Sequence, residues 1–330
     1  MLFAMVKKAF FLIVIVVSLF LSCHSDEKHI GLLIYDSDDT YIREVKESIV
    51  ETSEGGIAID VVYAENSQQK QNEQIEKFIE QGYDALIVNP VDRTASGVII
   101  DKCKQNDVPL VVFNRELVRE DMAKWDKVWY VGSKAEHSGI MAADIMADYW
   151  YTHPEADKNN DGVMQLAVIK GETGHQDTEL RTEYFIEALL RSGISIDKLH
   201  EDTGLWKRNG GYSAMTDFLS YSGDTIEAVF ANNDDMALGA VEALMENGYF
   251  NGGAFMPVVS IDGTPSGQKA LESGYLIGTV FQDAASQGRA IYRIASALAE
   301  EVEPTEMLIG YPVTDERYVW IPYRPLPGIW

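Results

Sequence analysis

From His29 onward the chain alternates short apolar runs with amphipathic stretches, and this alternation restricts the fold more than any other feature of the sequence. Gly31 to Tyr35, Ile57 to Tyr63, Ala85 to Val88, Leu110 to Phe113 and Val128 to Val131 are apolar runs of strand length. Helical patterns lie between them at Tyr41 to Glu54, Gln68 to Gln81 and Thr94 to Asn106; in the second, Ile75, Phe78 and Ile79 share one face. Apolar strands separated by helices predict βαβ units on a parallel sheet, because such strands are covered on both faces. A second round follows. Its strands are expected near Leu166–Ile169, Ala228–Phe230, Val258–Ile261 and Ile277–Val280, its helices near Ala135–Tyr151, Thr178–Arg191, Tyr212–Leu219, Met236–Asn247 and Ala284–Glu300. The expected class is α/β, with two doubly wound parallel-sheet lobes of similar size. A length of 330 residues suits two such domains at about 150 residues each.

In such sheets ligands collect beyond the carboxyl ends of the strands. Polar residues stand at those ends: Asp38 and Asp39, Asn89, Asn114 and Arg115, Asn232 and Asn233, and Asp262. No glycine-rich phosphate loop is present, since Gly171-Glu172-Thr173-Gly174 lacks both the spacing and the lysine. With 52 acidic against 27 basic residues the net charge is −25, and such a surface repels nucleic-acid phosphates. The two cysteines, Cys23 and Cys103, build neither a disulfide framework nor a local thiolate metal site. Cys103 shares an apolar face with Val98, Ile99 and Ile100 and reads as a small buried hydrophobe.

The start of the chain is an address. Lys7 and Lys8 precede an uncharged run from Ala9 to Leu21, about 20 Å of helix at ~1.5 Å per residue, too short to cross ~30 Å of hydrocarbon. Residues 1–22 match a secretory signal peptide and 23–28 a polar tether. Leu19-Phe20-Leu21-Ser22-Cys23 resembles a bacterial lipobox, in which Cys23 becomes the lipidated first residue of the mature protein. Phe20 stands where such signals usually carry Leu, and a plain secretory signal with an incidental cysteine is the alternative.

Asp157-Lys158-Asn159-Asn160-Asp161-Gly162-Val163-Met164-Gln165 follows the D-x-[DN]-x-[DN]-G pattern of calcium loops. Oxygen donors at alternating positions wrap a hard cation, with Val163 giving its carbonyl and Gln165 its side-chain oxygen. The twelfth position, where a helix–loop–helix hand needs a bidentate Glu, is Val168. Either a distant carboxylate completes a structural Ca2+ site or the segment is a polar turn.

Longer motifs narrow the reading. IGLLIYDSDDTY, KQNEQIEKFIEQG, ALIVNPVD, VVFNRE, YVGSKAEHSGI, DKNNDGVMQ, IKGETGHQDTELR, FANNDDMALGAVEAL, VSIDGTP and GTVFQDA run in order between Ile30 and Tyr323. With them the chain resembles the periplasmic galactose/glucose-binding receptors of bacterial ABC sugar importers, within the type I periplasmic binding protein family. The resemblance implies a monomer that captures D-glucose or D-galactose in a cleft between two lobes and presents it to an ABC permease; in some relatives a chemoreceptor also reads the closed form. By position it implies polar sugar contacts from Asp39, Asn89, His175, Asp177, Arg181, Asn233 and Asp262, stacking by Tyr41 and Trp206, and a contact from Gln282, where the family carries Asn. It implies Ca2+ ligation by Asp157, Asn159, Asp161, Val163 and Gln165, with Glu227 as the remote carboxylate. It implies a periplasmic protein held to a membrane through Cys23.

The residue types suit that chemistry. Carboxylates, amides and guanidinium present paired atoms in one plane and can each grip two vicinal hydroxyls, while a flat aromatic covers the C–H face of a pyranose. The lobes are expected to comprise 29–133 with 283–318, and 134–282 with 319–330, joined by a three-segment hinge near Gly132–Ser133, Phe281–Asp283 and Val319–Ile321. Two other classes compete. A sugar-cleaving enzyme would use cleft carboxylates such as Asp39, Asp177 and Asp262, but each has an amide, Arg or His neighbour suited to keeping it ionised, so no acid of raised pKa is expected. A sugar-sensing repressor domain would need a DNA-binding headpiece where this chain carries its signal.

Overall fold

In a computed structural model, residues 27–252, 254–315 and 317–329 are described. The expected signal peptide, most of the tether and the expected lipidation site at Cys23 lie outside them. No helix among the described residues is long and apolar enough to cross a membrane.

The first sheet draws on β1 (His29–Ile34), β2 (Ala58–Tyr63), β3 (Ala85–Val88), β4 (Leu110–Phe113) and β5 (Val128–Gly132). Its helices are α1 (Thr40–Thr52), α2 (Gln68–Glu80), α3 (Ser96–Gln105) and the single turn α4 (Arg119–Met122). The second part of the chain forms α5 (Ala135–Thr152), β6 (Val163–Lys170), α6 (Gln176–Arg191), β7 (Ser195–Thr203), α7 (Arg208–Ser222) and β8 (Ala228–Ala231). It continues through α8 (Asp234–Glu246), β9 (Val258–Asp262), α9 (Pro265–Glu272) and β10 (Gly278–Phe281). The chain then returns through α10 (Ala284–Ala299), α11 (Glu306–Ile309), β11 (Val313–Thr314), β12 (Tyr318–Trp320) and β13 (Arg324–Pro327).

Two sheets result, of seven strands in the order β11-β12-β5-β4-β3-β1-β2 and of six in the order β13-β10-β9-β8-β6-β7. Pairing is parallel except at the edges, where β11 meets β12 and β10 meets β13 antiparallel. The period-2 geometry of a strand splits β1 between two cores: Ile30, Leu32 and Ile34 enter the cluster under α1 and α10, while Leu33 enters the one on the opposite face with Ile75, Phe78 and Ile100. Burial on both faces is why these runs read as continuous apolar segments.

Two elements depart from expectation. Strand β7 is absent from the sequence reading because Ser195–Thr203 is polar; it is an edge strand with only partly buried side chains, paired to β6 through a register shift at Leu166/Ala167. The third crossing between lobes was expected at Val319–Ile321, with 319–330 in the second lobe. Val319 instead pairs with Val131 and Trp320 with Gly132 in the first sheet. Ile321 donates its N–H to Gly132 O at 2.8 Å and packs in the first lobe's core, whereas Tyr323 packs in the second. The crossing therefore falls at Pro322–Tyr323, because two fully buried aliphatic side chains bind the preceding segment to the first lobe. The other two passages lie between β5 and α5 and between β10 and α10.

Candidate functional site

The carboxyl ends of both sheets face one another across a cleft. Its walls carry Asp39, Tyr41, His175, Asp177, Arg181, Trp206, Asn233, Asp262 and Gln282 from the sequence reading, joined by Tyr35, Ile42, Asn114 and Arg115. Several of these residues also start helices. Asp39 caps α1 by accepting from Ile42 N–H at 2.9 Å, and Asn233 caps α8 by accepting from Met236 N–H at 3.0 Å. His175 caps α6 through Nδ1, which accepts from Asp177 N–H at 3.1 Å. A strand end followed by a helix start thus places the polar residue at the cleft wall and supplies its backbone partner.

Arg181 organises the floor. It is 3% exposed. Its Nη1 donates to Asn232 O at 2.7 Å and to Asp262 Oδ1 at 3.4 Å; its Nη2 donates to Gln282 Oε1 at 3.0 Å, Tyr323 Oη at 3.1 Å and Asp177 Oδ2 at 3.4 Å. Burial works against its charge, but Tyr323, Asp177 and Asp262 hold it protonated. The Trp206 ring centroid lies 5.7 Å from the guanidinium carbon, and the His175 ring meets Trp206 edge-on at 5.1 Å.

The electrostatics correct one expectation. Burial pushes the Asp177 carboxyl up to about 6 despite the opposing Arg181 charge, and pushes Asp262 well above the carboxylate range, again against Arg181. Desolvation exceeds the stabilisation from a guanidinium shared among several acceptors and held at 3.4 Å. Burial, reinforced by Arg115 and Arg181, holds His175 well below the usual imidazole range. It is therefore neutral at pH 7, with the proton on Nε2 because Nδ1 is an acceptor.

Asn89 is fully buried at the end of β3: its Nδ2 donates to Phe113 O at 3.2 Å, which ties the end of β3 to the end of β4, and its Oδ1 has no partner. Sequence reasoning noted Arg115 only as a charge at a strand end. It is 5% exposed, stacks 4.0 Å over the Tyr35 ring and pairs with Glu172 Oε2 at 2.8 Å across the cleft. Tyr35 itself was hidden by its place at the end of an apolar run; its hydroxyl donates to Asp39 Oδ2 at 2.6 Å. Three buried N–H donors on the cleft residues have no partner: Trp206 Nε1, Arg115 Nε and Arg181 Nε. Orphaned buried donors are costly, and a hydroxyl-rich ligand satisfies them. The walls approach so closely that the cavity is about 30 Å3, room for a water or two. A hexose therefore enters only when the lobes part.

The segment 157–165 forms a tight loop before β6. Asp157 Oδ2 accepts from Gly162 N–H at 2.9 Å, Asn159 Oδ1 from Asp161 N–H at 2.9 Å, and Asp161 Oδ1 from Val163 N–H at 2.8 Å. Glu227, 1% exposed, reaches the loop by accepting from Lys158 N–H at 2.6 Å and Gln165 N–H at 3.2 Å. Gln165 Oε1 is buried without a partner. Asn159 and Gln165 both turn an amide nitrogen to Asp161 Oδ2, at 2.9 and 3.2 Å. Among the described residues no three His, Cys, Asp or Glu side chains converge as a metal cluster. A cation here would depend on amide and carbonyl oxygens as well, with both amides turned over.

Residues 30–302 match the periplasmic binding protein domain family. The chain is 34% identical over 300 residues to a D-galactose/methyl-galactoside binding periplasmic protein, MglB, of Haemophilus influenzae, covering 90% of this chain and 88% of that one. It is 31% identical to a xylitol-binding protein of Mycolicibacterium smegmatis, over 90% of this chain and 80% of that one. Among solved structures, an ABC transporter solute binding protein of Bacillus halodurans with bound myo-inositol superposes with a TM-score of 0.74 at 28% identity, covering 91% of this chain and 94% of that one.

Proposed function

Since this chain belongs to the periplasmic binding protein domain family, we propose that it is the extracytoplasmic sugar receptor of an ABC importer and that its ligand is D-glucose or D-galactose. The observation that carries this reading is the interlobe cleft, where Asp177, Asp262 and Gln282 surround one buried guanidinium, Asn233 lines the same wall and three N–H donors lack partners. Such a wall offers planar pairs of atoms to vicinal hydroxyls. Trp206 and Tyr41 supply flat faces for the sugar's C–H surfaces. His175 contributes a neutral Nε2–H donor. Binding the closed form more tightly shifts the open–closed equilibrium, and the closed form is what a permease recognises.

A hydrolase would set two carboxylates on opposite faces of a glycosidic bond. Asp177 and Asp262 instead address the same guanidinium. We assign them to binding. The chemistry of the 157–165 loop suits a structural Ca2+ held by Asp157, Asn159, Asp161, Val163 O, Gln165 and Glu227, once the Asn159 and Gln165 amides turn their oxygens toward Asp161. We also propose lipid anchoring at Cys23; labelled palmitate should enter the wild type and not Cys23→Ala.

Titration calorimetry of the purified mature domain against a monosaccharide panel tests the main reading. Micromolar or tighter binding of glucose or galactose, with the sugar recovered unchanged, is the expected result. A panel that leaves the protein unbound, or returns hydrolysed or oxidised sugar, overturns it.

A further inference from the structure

Tyr41 stands on the cleft wall, but its hydroxyl is engaged elsewhere. It donates to Gln287 Oε1 at 2.5 Å, and Gln287 is fully buried outside the cleft lining. The same amide donates through its nitrogen to Val131 O at 3.2 Å. A carbonyl oxygen only accepts, so that contact fixes which end of the amide is nitrogen and leaves Oε1 for the tyrosine. Burial pushes the Tyr41 hydroxyl well above its usual range, so it stays a donor at neutral pH.

Gln287 lies in the first turn of α10, just after the passage from β10. Val131 lies near the end of β5, just before the passage to α5. It pairs with Phe113 on one side and, on the other, with Val319 ahead of the third crossing. Its carbonyl also accepts from the N–H of Asn114, a cleft residue, at 3.1 Å. One side chain therefore joins a cleft aromatic to the first-lobe ends of two hinge passages. The backbone around it has little play. A Cβ on Gly288 would lie 2.5 Å from Ser48 Cβ and 2.8 Å from Val45 O, so α10 presses directly on α1, and Ser48 Oγ donates to Ala285 O at 2.8 Å. With both helices fixed, the orientation of the Tyr41 ring is left to the hydrogen bond at its tip.

Resting on the sugar-receptor reading, we propose that Gln287 is a positioning residue for the ligand: by taking the Tyr41 hydroxyl, it keeps the ring turned to the cleft as a stacking face. Gln287 does not touch the sugar and acts through Tyr41. Removing the amide alone strands a buried hydroxyl, and the ring turns to find it another partner. Removing amide and hydroxyl together strands nothing, since Val131 O keeps the Asn114 N–H. The two substitutions are therefore non-additive, with a definite sign.

The test is calorimetry with D-glucose and D-galactose at pH 7, beside thermal melting, on the intact mature protein and on Gln287→Met, Tyr41→Phe and the double variant. Methionine keeps the length of the side chain without its polar atoms. Gln287→Met should bind the preferred hexose at least tenfold more weakly than the wild type. Tyr41→Phe and the double variant should agree within threefold, and both should bind more tightly than Gln287→Met. A purely structural glutamine would lower the melting temperature and change affinity by the same factor whether or not residue 41 carries a hydroxyl. Equal factors in the two backgrounds, or a Gln287→Met protein that binds within tenfold of the wild type, overturns this inference and leaves the receptor reading intact. Should Gln287→Met not fold, Tyr41→Phe against the double variant decides alone, and a gap beyond threefold overturns the inference. A wild type that binds neither sugar overturns the receptor reading and this inference together.

Discussion

Trp206 rests against the backbone of Gly171: a Cβ built on that glycine would lie 2.1 Å from the indole ring. The tryptophan sits on the β7–α7 connection with φ of +63° and presents its ring beside His175 and Arg181. The ring's position is thus set by an absent methyl group on the strand-end loop opposite. Gly171→Ala should tilt the indole out of the cleft and weaken sugar binding at least tenfold. Calorimetry together with a shift in tryptophan emission checks this. Trp206→Ala should lose still more affinity, and because the ring is also buried in the core cluster with Ile169, Met215 and Met236 it should lower the melting temperature as well; unaltered titrations of either variant would count against the stacking role.

Asp177 makes the ligand-free protein pH-sensitive in a defined direction. Its carboxyl is raised from 3.8 to about 6 in the folded state, so between those values the native protein binds more protons than the unfolded chain. Stability from this group is therefore greatest below pH 4 and falls as the pH rises to 6, a loss of roughly 3 kcal/mol once complete. Asp177→Asn should flatten that slope and stabilise the ligand-free protein at pH 7 by a comparable amount, while sugar binding fails. Urea unfolding of both proteins at pH 4.5 and 7 measures the difference.

Lys207 donates to Asp36 Oδ2 at 2.7 Å, and Arg115 pairs with Glu172 at 2.8 Å; both contacts join the lobes at the cleft rim. Burial works against the Asp36 charge, but Lys207, the Asp38 N–H and Asn66 hold its carboxyl below the usual range. Parting the lobes would break both pairs. Lys207→Ala and Glu172→Gln should each raise the sugar Kd three- to tenfold, chiefly through faster release, and blunt its dependence on salt. Stopped-flow release rates at 20 and 500 mM NaCl give the comparison.

Calcium occupancy of the 157–165 loop should stabilise the second lobe. At a free concentration of a hundred times Kd, binding contributes about 2.7 kcal/mol, a rise of several degrees in melting temperature for a domain of this size. Chelation followed by calcium readdition should lower and then restore the transition, and Glu227→Gln should abolish the response. A metal-stripped sample that melts unchanged would reduce the loop to a turn.

Much of this architecture is legible in the chain itself. Apolar runs such as Ala85–Val88 and Leu110–Phe113, bounded by turn residues, read as strands covered on both faces and are so, and the polar residues that follow such runs fall at the ligand-binding edge of a parallel sheet. The loop pattern at Asp157–Gln165 and the i,i+4 spacing of Asp177 and Arg181 are equally local signals. Tertiary structure decided what no local pattern encodes. Ser195–Thr203 is a strand only because β6 offers it an edge. Asn89 uses its Nδ2 to bridge two strand ends. Val319 and Ile321 belong to the first lobe because its core buries them. The carboxyls of Asp177 and Asp262 rise because desolvation depends on the density of the whole surrounding fold, whereas the sequence displays only the arginine that opposes it.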